Sequence, residues 1–142
     1  MKNLLLSVSM KGCYVSYAIY YEGKCIKHNT MKLSGNYNYI EKLMQGIIQG
    51  LREVKILVNS EMTKYDSLVI ESSNSVILKW IDDYISKGYR DLFLILLDEL
   101  NSIPLMFQCV HVTSPKAKIY TDKKYIKKEK MYGISDLEVG DN

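Results

Sequence analysis

The stretch that decides the fold of this chain is Leu68-Val69-Ile70-Glu71-Ser72-Ser73-Asn74. Its short apolar start is typical of a buried β-strand, because strands that are covered on both faces show continuous apolar runs. The Ser73-Asn74 pair then offers an N-cap, since short polar side chains accept hydrogen bonds from the first free N–H groups of a helix. The stretch therefore predicts a central strand that leads directly into a helix.

An amphipathic helix is predicted upstream of this strand, from Asn38 to about Val58. Apolar residues recur there at i, i+3 and i+4 spacing over several turns. Gly46 and Gly50 lie four residues apart within it and would weaken an isolated helix, so we expect them at a close approach to a sheet. The strand after such a crossover should lie parallel to the first strand, with a right-handed connection.

The remaining elements extend the pattern in both directions. Three antiparallel strands are predicted near residues 4–9, 14–21 and 25–33. Downstream we expect a helix that ends at Lys87-Gly88, a helix over 91–101, a strand over 105–112 and a last helix over 115–130. The order βββ-α-β-α-α-β-α predicts one α/β domain, a mixed sheet with helices on its faces.

Charge is distributed unevenly along the chain. The net charge of +3 is mild, but lysines crowd the predicted last helix: Lys116, Lys118, Lys123, Lys124, Lys127, Lys128 and Lys130. A solvated helix face and a phosphate-binding surface both remain possible for this cluster. The chain then turns acidic, so we expect a domain over residues 1–130 followed by an acidic tail over residues 131–142.

The cysteines and the apolar runs indicate where in the cell the protein is located. Cys13, Cys25 and Cys109 are far apart and lack CxxC spacing, which argues against a disulfide framework and a zinc site. No apolar run approaches the ~18 residues of a membrane span, and the apolar start is too short for a signal-peptide core. We expect a cytoplasmic protein with no membrane association. Its lysine-rich, arginine-poor composition suggests a bacterial or phage origin.

Four segments of this chain stand out, in order: Ser7-Val8-Ser9-Met10-Lys11-Gly12, Lys42 to Leu51, Leu68 to Asn74, and His111-Val112-Thr113. They resemble the active-site segments of type 1 ribonuclease H, in its compact bacterial and plant-like branch. The family's first strand ends Asp-Gly-Ser-x-Lys-Gly, and its first long helix reads Ala-Glu-Tyr-x-Ala-Leu-Ile-x-Gly-Leu. Its fourth strand reads Leu-Val-Ile-Glu-Ser-Asp-Ser, and its fifth ends His-Val-Pro. The matching segments here begin at Ser7, Lys42, Leu68 and His111. The resemblance covers about residues 1–130 and implies a ribonuclease H-like fold, a five-stranded mixed sheet of strand order 3-2-1-4-5.

The departures from the family are as informative as the matches. At the positions of its four metal-binding carboxylates this chain has Ser7, Leu43, Ser73 and Thr121. In the family, such carboxylates hold two Mg²⁺ ions that clamp the attacking and leaving oxygens of a phosphodiester. Because Mg²⁺ requires hard, charged oxygen ligands, the resemblance implies a catalytically inactive member without a metal cofactor.

Three nearby residues are candidate remnants of the site. Glu71 and Asp122 could form a relocated, weak metal site, or they could be ordinary solvated charges. His111 resembles a histidine that assists product release in some members of the family, or it is an ordinary polar residue at a strand end. The sequence leaves these alternatives open.

Three functions are compatible with these observations. The chain could be a non-catalytic module that binds RNA or RNA–DNA duplex, since such duplexes are recognised largely by shape and phosphate contacts. It could be a scaffold for contact with a protein partner or a second copy, which an exposed apolar patch would favour. It could be an active nuclease with a rearranged site. For the first, the expected contacts are Lys11, Lys116, Lys118, Lys123, Lys124, Lys127 and Lys128.

Overall fold

The computed structural model describes residues 2–61 and 63–132, with side chains described as far as residue 126. Five strands and four helices follow one another in the predicted order βββ-α-β-α-α-β-α. They are β1 (Asn3–Lys11), β2 (Tyr14–Tyr21), β3 (Lys24–Lys32), α1 (Tyr39–Ser60), β4 (Ser67–Ser72), α2 (Ser75–Asp83), α3 (Arg90–Asn101), β5 (Met106–His111) and α4 (Lys118–Tyr132).

The five strands form one sheet of order β3-β2-β1-β4-β5. β2 pairs antiparallel with both β1 and β3, whereas β4 pairs parallel with both β1 and β5. The mixed sheet and its strand order are therefore as predicted. Among the described helices, none is long and apolar enough to cross a membrane.

The predicted crossover helix is α1, and its two inner glycines lie against the sheet. Asn38 caps it in a reciprocal capping box with Glu41, which satisfies two otherwise free backbone donors. A Cβ atom on Gly46 would lie 2.6 Å from Val15 Cγ2, and one on Gly50 would lie 2.5 Å from Leu6 Cδ1. The close approach expected from these glycines is confirmed.

The two faces of β1 have different chemistry, because successive side chains of a strand point to opposite faces. Leu4, Leu6 and Val8 belong to the main hydrophobic core, which they share with α1. Ser7 lies on the other face, where the chain enters α4, and it too is buried. The polar candidate site is thus built on the face opposite the main core.

Two predicted helix boundaries are wrong. The second helix ends at Asp83 rather than near Lys87, because Tyr84 takes a left-handed conformation and its N–H bonds back to Ile81 and Trp80. Its apolar periodicity continues past the point where the backbone leaves the helix.

The last helix begins at Lys118 rather than at Pro115, because the segment before it forms a turn in which Lys118 N–H bonds to Pro115 O. It runs to Tyr132, two residues past the expected end of the domain. The acidic residues of the expected tail are Asp136, Glu138 and Asp141, and they lie outside the described residues.

Candidate functional site

The centre of the candidate site is a hydrogen-bonded pair on neighbouring parallel strands. Ser7 on β1 is in register with Glu71 on β4, so their side chains point to the same face of the sheet. Ser7 Oγ donates to Glu71 Oε2 at 2.8 Å. Glu71 is only 8% exposed, so the interpretation of this residue as a solvated charge is wrong.

The same carboxylate binds the chain segment that enters α4. Lys116 N–H donates to Glu71 Oε2 at 2.7 Å, and Ala117 N–H donates to Ser7 Oγ at 2.9 Å. The first N–H groups of a helix have no partner within the helix, and a negative charge is favourable near them. Glu71 and Ser7 therefore attach the start of α4 to the middle of the sheet.

The other three carboxylate positions of the family are divided: Thr121 is linked to this pair through Ala117, whereas Leu43 lies in the main core. Thr121 is fully buried, and its Oγ1 donates to Ala117 O, one helical turn back, at 3.3 Å. Leu43 is buried in the main core, on the opposite face of the sheet from Ser7. Ser73 is exposed just after β4. The structure thus brings Ser7 and Thr121 to the start of α4 and places Leu43 elsewhere.

His111 lies at the end of β5, where its Nε2 is 3.1 Å from Ser73 O. This contact joins the strand end to the turn before α2. The contact supports the interpretation of His111 as a polar residue at a strand end.

The donor atoms at these positions do not suit a pair of Mg²⁺ ions. Serine and threonine hydroxyls are neutral and leucine has no donor, whereas Mg²⁺ is held by charged oxygens. Glu71 Oε2 already accepts two hydrogen bonds from the protein. Within the described residues, no three His, Cys, Asp or Glu side chains come together as a possible metal site. The residues present therefore do not fit the two-metal centre of the family that the sequence resembles.

Asp122, the other candidate remnant, pairs with lysines. Its Oδ2 lies 2.5 Å from Lys118 Nζ, and its Oδ1 lies 3.9 Å from Lys11 Nζ. Lys11 Nζ also lies 4.9 Å from the centre of the Tyr125 ring. Two of the predicted nucleic-acid contacts thus share one carboxylate, which offsets part of their positive charge.

Lys123 and Lys124 instead line a cleft between β3 and α4. The cleft has a volume of about 450 Å³, and its other lining residues are His28, Asn29, Thr30 and Tyr120. The His28 ring stacks on the Tyr120 ring at a centroid distance of 3.9 Å and an interplanar angle of 11°. Lys123 Nζ lies 6.0 Å from the centre of the Tyr120 ring. The β3–α4 cleft, as we call it, therefore combines two cations with an aromatic pair.

None of the described residues that line the cleft is an aspartate or a glutamate. A hydrogen bond with Cys25, together with burial, raises the pKa of Tyr120 above its usual value, so the phenol stays neutral. The sequence alone does not bring His28 and Tyr120 together. No local pattern could have done so, because these residues are 92 positions apart and meet only when α4 crosses the sheet.

The predicted lysine contacts in and before α4 are exposed wherever their side chains are described. Lys116 is exposed in the turn that precedes α4, and Lys118, Lys123 and Lys124 are exposed on the helix itself. The side chains of Lys127 and Lys128 lie outside those described, although both residues belong to α4.

Comparison with solved structures identifies the fold. Ribonuclease H1 from the halophilic archaeon Halobacterium salinarum superimposes with a TM-score of 0.61 at 11% identity, over 82% of this chain and 87% of that one. The N-terminal ribonuclease H domain of a Mycobacterium tuberculosis protein gives a TM-score of 0.61 at 7% identity, over 90% and 99%. LC11-RNase H1, in complex with an RNA/DNA hybrid, gives 0.59 at 10% identity, over 78% and 86%.

The chain therefore has a ribonuclease H-like fold, with a five-stranded mixed sheet of order 3-2-1-4-5. No protein-family model matches the sequence, and no curated protein matches it either. At these identities the structural likeness establishes the fold alone.

Proposed function

We propose that this chain is a non-catalytic ribonuclease H-like module that binds RNA or RNA–DNA duplex through the basic surface of α4. This surface comprises the exposed lysines in and before the helix together with the β3–α4 cleft. The observation that carries the proposal is the position of Lys123 and Lys124 beside the stacked His28 and Tyr120 rings.

The proposed loss of catalysis rests on the donor atoms at the family's carboxylate positions. Ser7 and Thr121 offer neutral hydroxyls that are already hydrogen bonded within the protein. Leu43 offers no donor and belongs to the core. Two-metal hydrolysis needs charged ligands that face a common point, and these residues supply neither the charge nor the geometry.

The proposed ligand class rests on the charge and surface of α4. Lysine ammonium groups contact phosphates as point charges, and such contacts position a duplex without reading its sequence. Lys123 and Lys127, like Lys124 and Lys128, are four residues apart, so each pair lies on one side of the helix. A fold neighbour has been solved with an RNA/DNA hybrid, which supports testing that duplex first.

Fluorescence anisotropy with matched hybrid, double-stranded RNA and double-stranded DNA tests the proposal. We expect binding at low salt, stronger for the two duplexes with A-form character. A Lys123→Gln/Lys124→Gln variant should bind more weakly. The control Lys55→Gln/Lys64→Gln removes the same charge from the α1 side of the molecule and should bind as the wild type does. Absence of binding at low salt would contradict the proposal.

A second candidate function is contact with another protein chain. It is favoured by an exposed apolar surface around α2 and α3, which the nucleic-acid proposal does not use.

A further inference from the structure

The β3–α4 cleft holds a pair of stacked rings, one side of which stays open. The centroids of the His28 and Tyr120 rings are 3.9 Å apart, and the two rings are almost parallel, at 11°. Tyr120 is half-buried, whereas His28 is exposed. Because Tyr120 covers one face of the imidazole, the exposed surface of His28 lies on the other face and along the ring edge. A third planar group can therefore continue the stack.

The inner ring of this stack is attached to the sheet. The Tyr120 hydroxyl interacts with the side chains of Cys25 and Tyr20, which are partners in register on β3 and β2. The Tyr20 hydroxyl in turn donates to Lys116 O at 3.4 Å. A group that is held in place before a ligand arrives loses little conformational freedom on binding, which favours affinity. The stack is thus a platform formed in advance of any ligand.

Two lysines lie on the same side of α4 as Tyr120. Lys123 and Lys124 follow Tyr120 by three and four residues, which is the spacing of neighbours on one side of a helix. Both line the cleft, and Lys123 Nζ lies 6.0 Å from the centre of the Tyr120 ring. Lys118 is paired with Asp122, whereas neither Lys123 nor Lys124 pairs with a carboxylate among the described residues. Their charge is therefore available to an anion beside the rings.

The cleft combines the groups that recognise a base with those that recognise a phosphate. In proteins that bind single-stranded nucleic acid, aromatic and histidine rings stack on bases, and a positively charged groove follows the backbone. A ring alone would accept many apolar groups, and lysines alone would accept any anion. A ligand that is both planar and anionic uses all four side chains, and a nucleotide has both properties. The cleft volume of about 450 Å³ is within the range of small-molecule sites, roughly 300–1,000 Å³.

A base inside a duplex cannot use such a platform, since its neighbours in the stack cover both of its faces. Extrusion of a paired base costs unpairing and unstacking energy, whereas an unpaired base avoids most of that cost. Phosphates, in contrast, are exposed along every duplex. Lysines without rings would therefore suffice for a duplex, and the rings favour a nucleotide that is unpaired.

We propose that the β3–α4 cleft binds one unpaired nucleotide of RNA or DNA, with its base on His28 and its phosphates beside Lys123 and Lys124. The inference rests on the proposed function, contact of α4 with nucleic acid, and adds that single-stranded nucleotides next to the duplex increase affinity. β3 is an edge strand of the sheet, so a strand that continues past the end of a duplex can enter the cleft from the side. The site reads no sequence, because every base has a π-face.

Fluorescence anisotropy with three versions of one RNA–DNA hybrid tests the inference. The first is blunt, the second has a short single-stranded overhang, and the third has the same overhang with abasic residues, which keep the phosphates but lack the bases. We expect the overhang with bases to bind at least about fivefold more tightly than the abasic overhang, the lower end of what a stacked base contributes. Overhangs on the RNA strand and on the DNA strand are compared, so that the two sources of the nucleotide are distinguished.

Variants of His28 separate stacking from charge. His28→Ala should abolish the difference between the two overhangs and leave the affinity for the blunt hybrid unchanged, because it removes a ring and no lysine. His28→Phe should retain the difference, because a planar ring remains. His111→Ala is the matched control, since it removes an exposed histidine from β5, at the opposite edge of the sheet. This variant should bind all three hybrids as the wild type does.

The outcomes distinguish the inference from the proposed function. Equal binding of the two overhangs would overturn the inference, whereas tight binding of the blunt hybrid would still support the proposed function. The same comparison on single strands, with and without bases, tests the cleft even where no duplex binds. A base-dependent affinity for single strands that His28→Ala removes would support the inference, even if the proposed function failed. An equal loss for every ligand in His28→Ala, or no binding of any ligand at low salt, would overturn the inference.

Discussion

Ser7 and Glu71 are 64 residues apart in sequence, yet they share a hydrogen bond of 2.8 Å in the interior of the protein. The bond links β1 to β4, and the same carboxylate accepts Lys116 N–H at 2.7 Å. Three segments of the chain, β1, β4 and the turn before α4, thus meet at one side chain. Replacement of Glu71 should therefore destabilise the contact among all three segments.

We predict that Glu71→Ala destabilises the protein by about 3 kcal/mol. Two donors would lose their acceptor, and a buried donor without a partner costs roughly 1–3 kcal/mol. Glu71→Gln should cost about 1 kcal/mol, because its amide oxygen can still accept both hydrogen bonds. Urea unfolding measures both variants. An equal loss in the two would mean that the charge, rather than the hydrogen bonds, holds α4 in place.

Gly46→Ala should destabilise the protein by roughly 1–3 kcal/mol through overpacking. The new Cβ would lie 2.6 Å from Val15 Cγ2 and 2.9 Å from Val8 Cγ1, and β-branched side chains have little freedom to move aside. The gain in helix propensity, about 1 kcal/mol, offsets only part of this. Gly35→Ala is the control, because a Cβ there meets no atom within 4 Å. Thermal unfolding should show a lower midpoint for the first variant alone.

We predict that the purified protein does not cleave RNA–DNA hybrid in Mg²⁺ or Mn²⁺, and that Ser73→Asp alone does not change this. One carboxylate cannot hold two ions. Adding Ser7→Asp, Leu43→Glu and Thr121→Asp should unfold much of the protein, because Leu43 and Thr121 are buried and an unpaired buried charge is costly. A gel assay with labelled hybrid measures activity, and circular dichroism reports folding. Robust cleavage by Ser73→Asp would refute our account of the site.

The salt dependence of any duplex binding should report the number of lysines involved. If about three or four contact phosphates, the slope of log K against log salt should be roughly −2 to −4. Replacing Lys123, Lys124, Lys127 and Lys128 with Gln should flatten the slope and weaken binding to all sequences alike. Anisotropy titrations at several salt concentrations measure this. A slope unchanged in the variant would place the contacts on another surface.

Cys109 should be the slowest of the three thiols to react in the folded protein. Burial, followed by the nearby charge of Asp82, raises its pKa to about 12. The reactive thiolate is therefore suppressed in the native state up to strongly alkaline pH, and it returns on unfolding. Timed alkylation at pH 8 with peptide mapping measures the three rates. Alkylation of Cys109 at the same rate in native and denatured protein would contradict the prediction.

The order of elements and the pairing of strands follow from sequence because they depend on local patterns. Apolar periodicity identifies α1 and β4, and the two glycines of α1 indicate the close contact with β1 and β2. The role of Glu71 was not foreseen, because its partner Lys116 lies 45 residues away and contributes a backbone N–H that leaves no mark in sequence. Likewise, Tyr84 continues an apolar pattern while its backbone turns left-handed. Boundaries and long-range contacts depend on tertiary packing.

The hydrogen bonds that attach α4 also determine whether the fold depends on metal ions. Several carboxylates facing one point repel one another until cations screen them. Here a single carboxylate accepts hydrogen bonds from a hydroxyl and an amide donor of the protein itself. These hydrogen bonds need no added ion. Chelating agents and changes in the concentration of divalent ions should therefore leave the attachment of α4 unchanged.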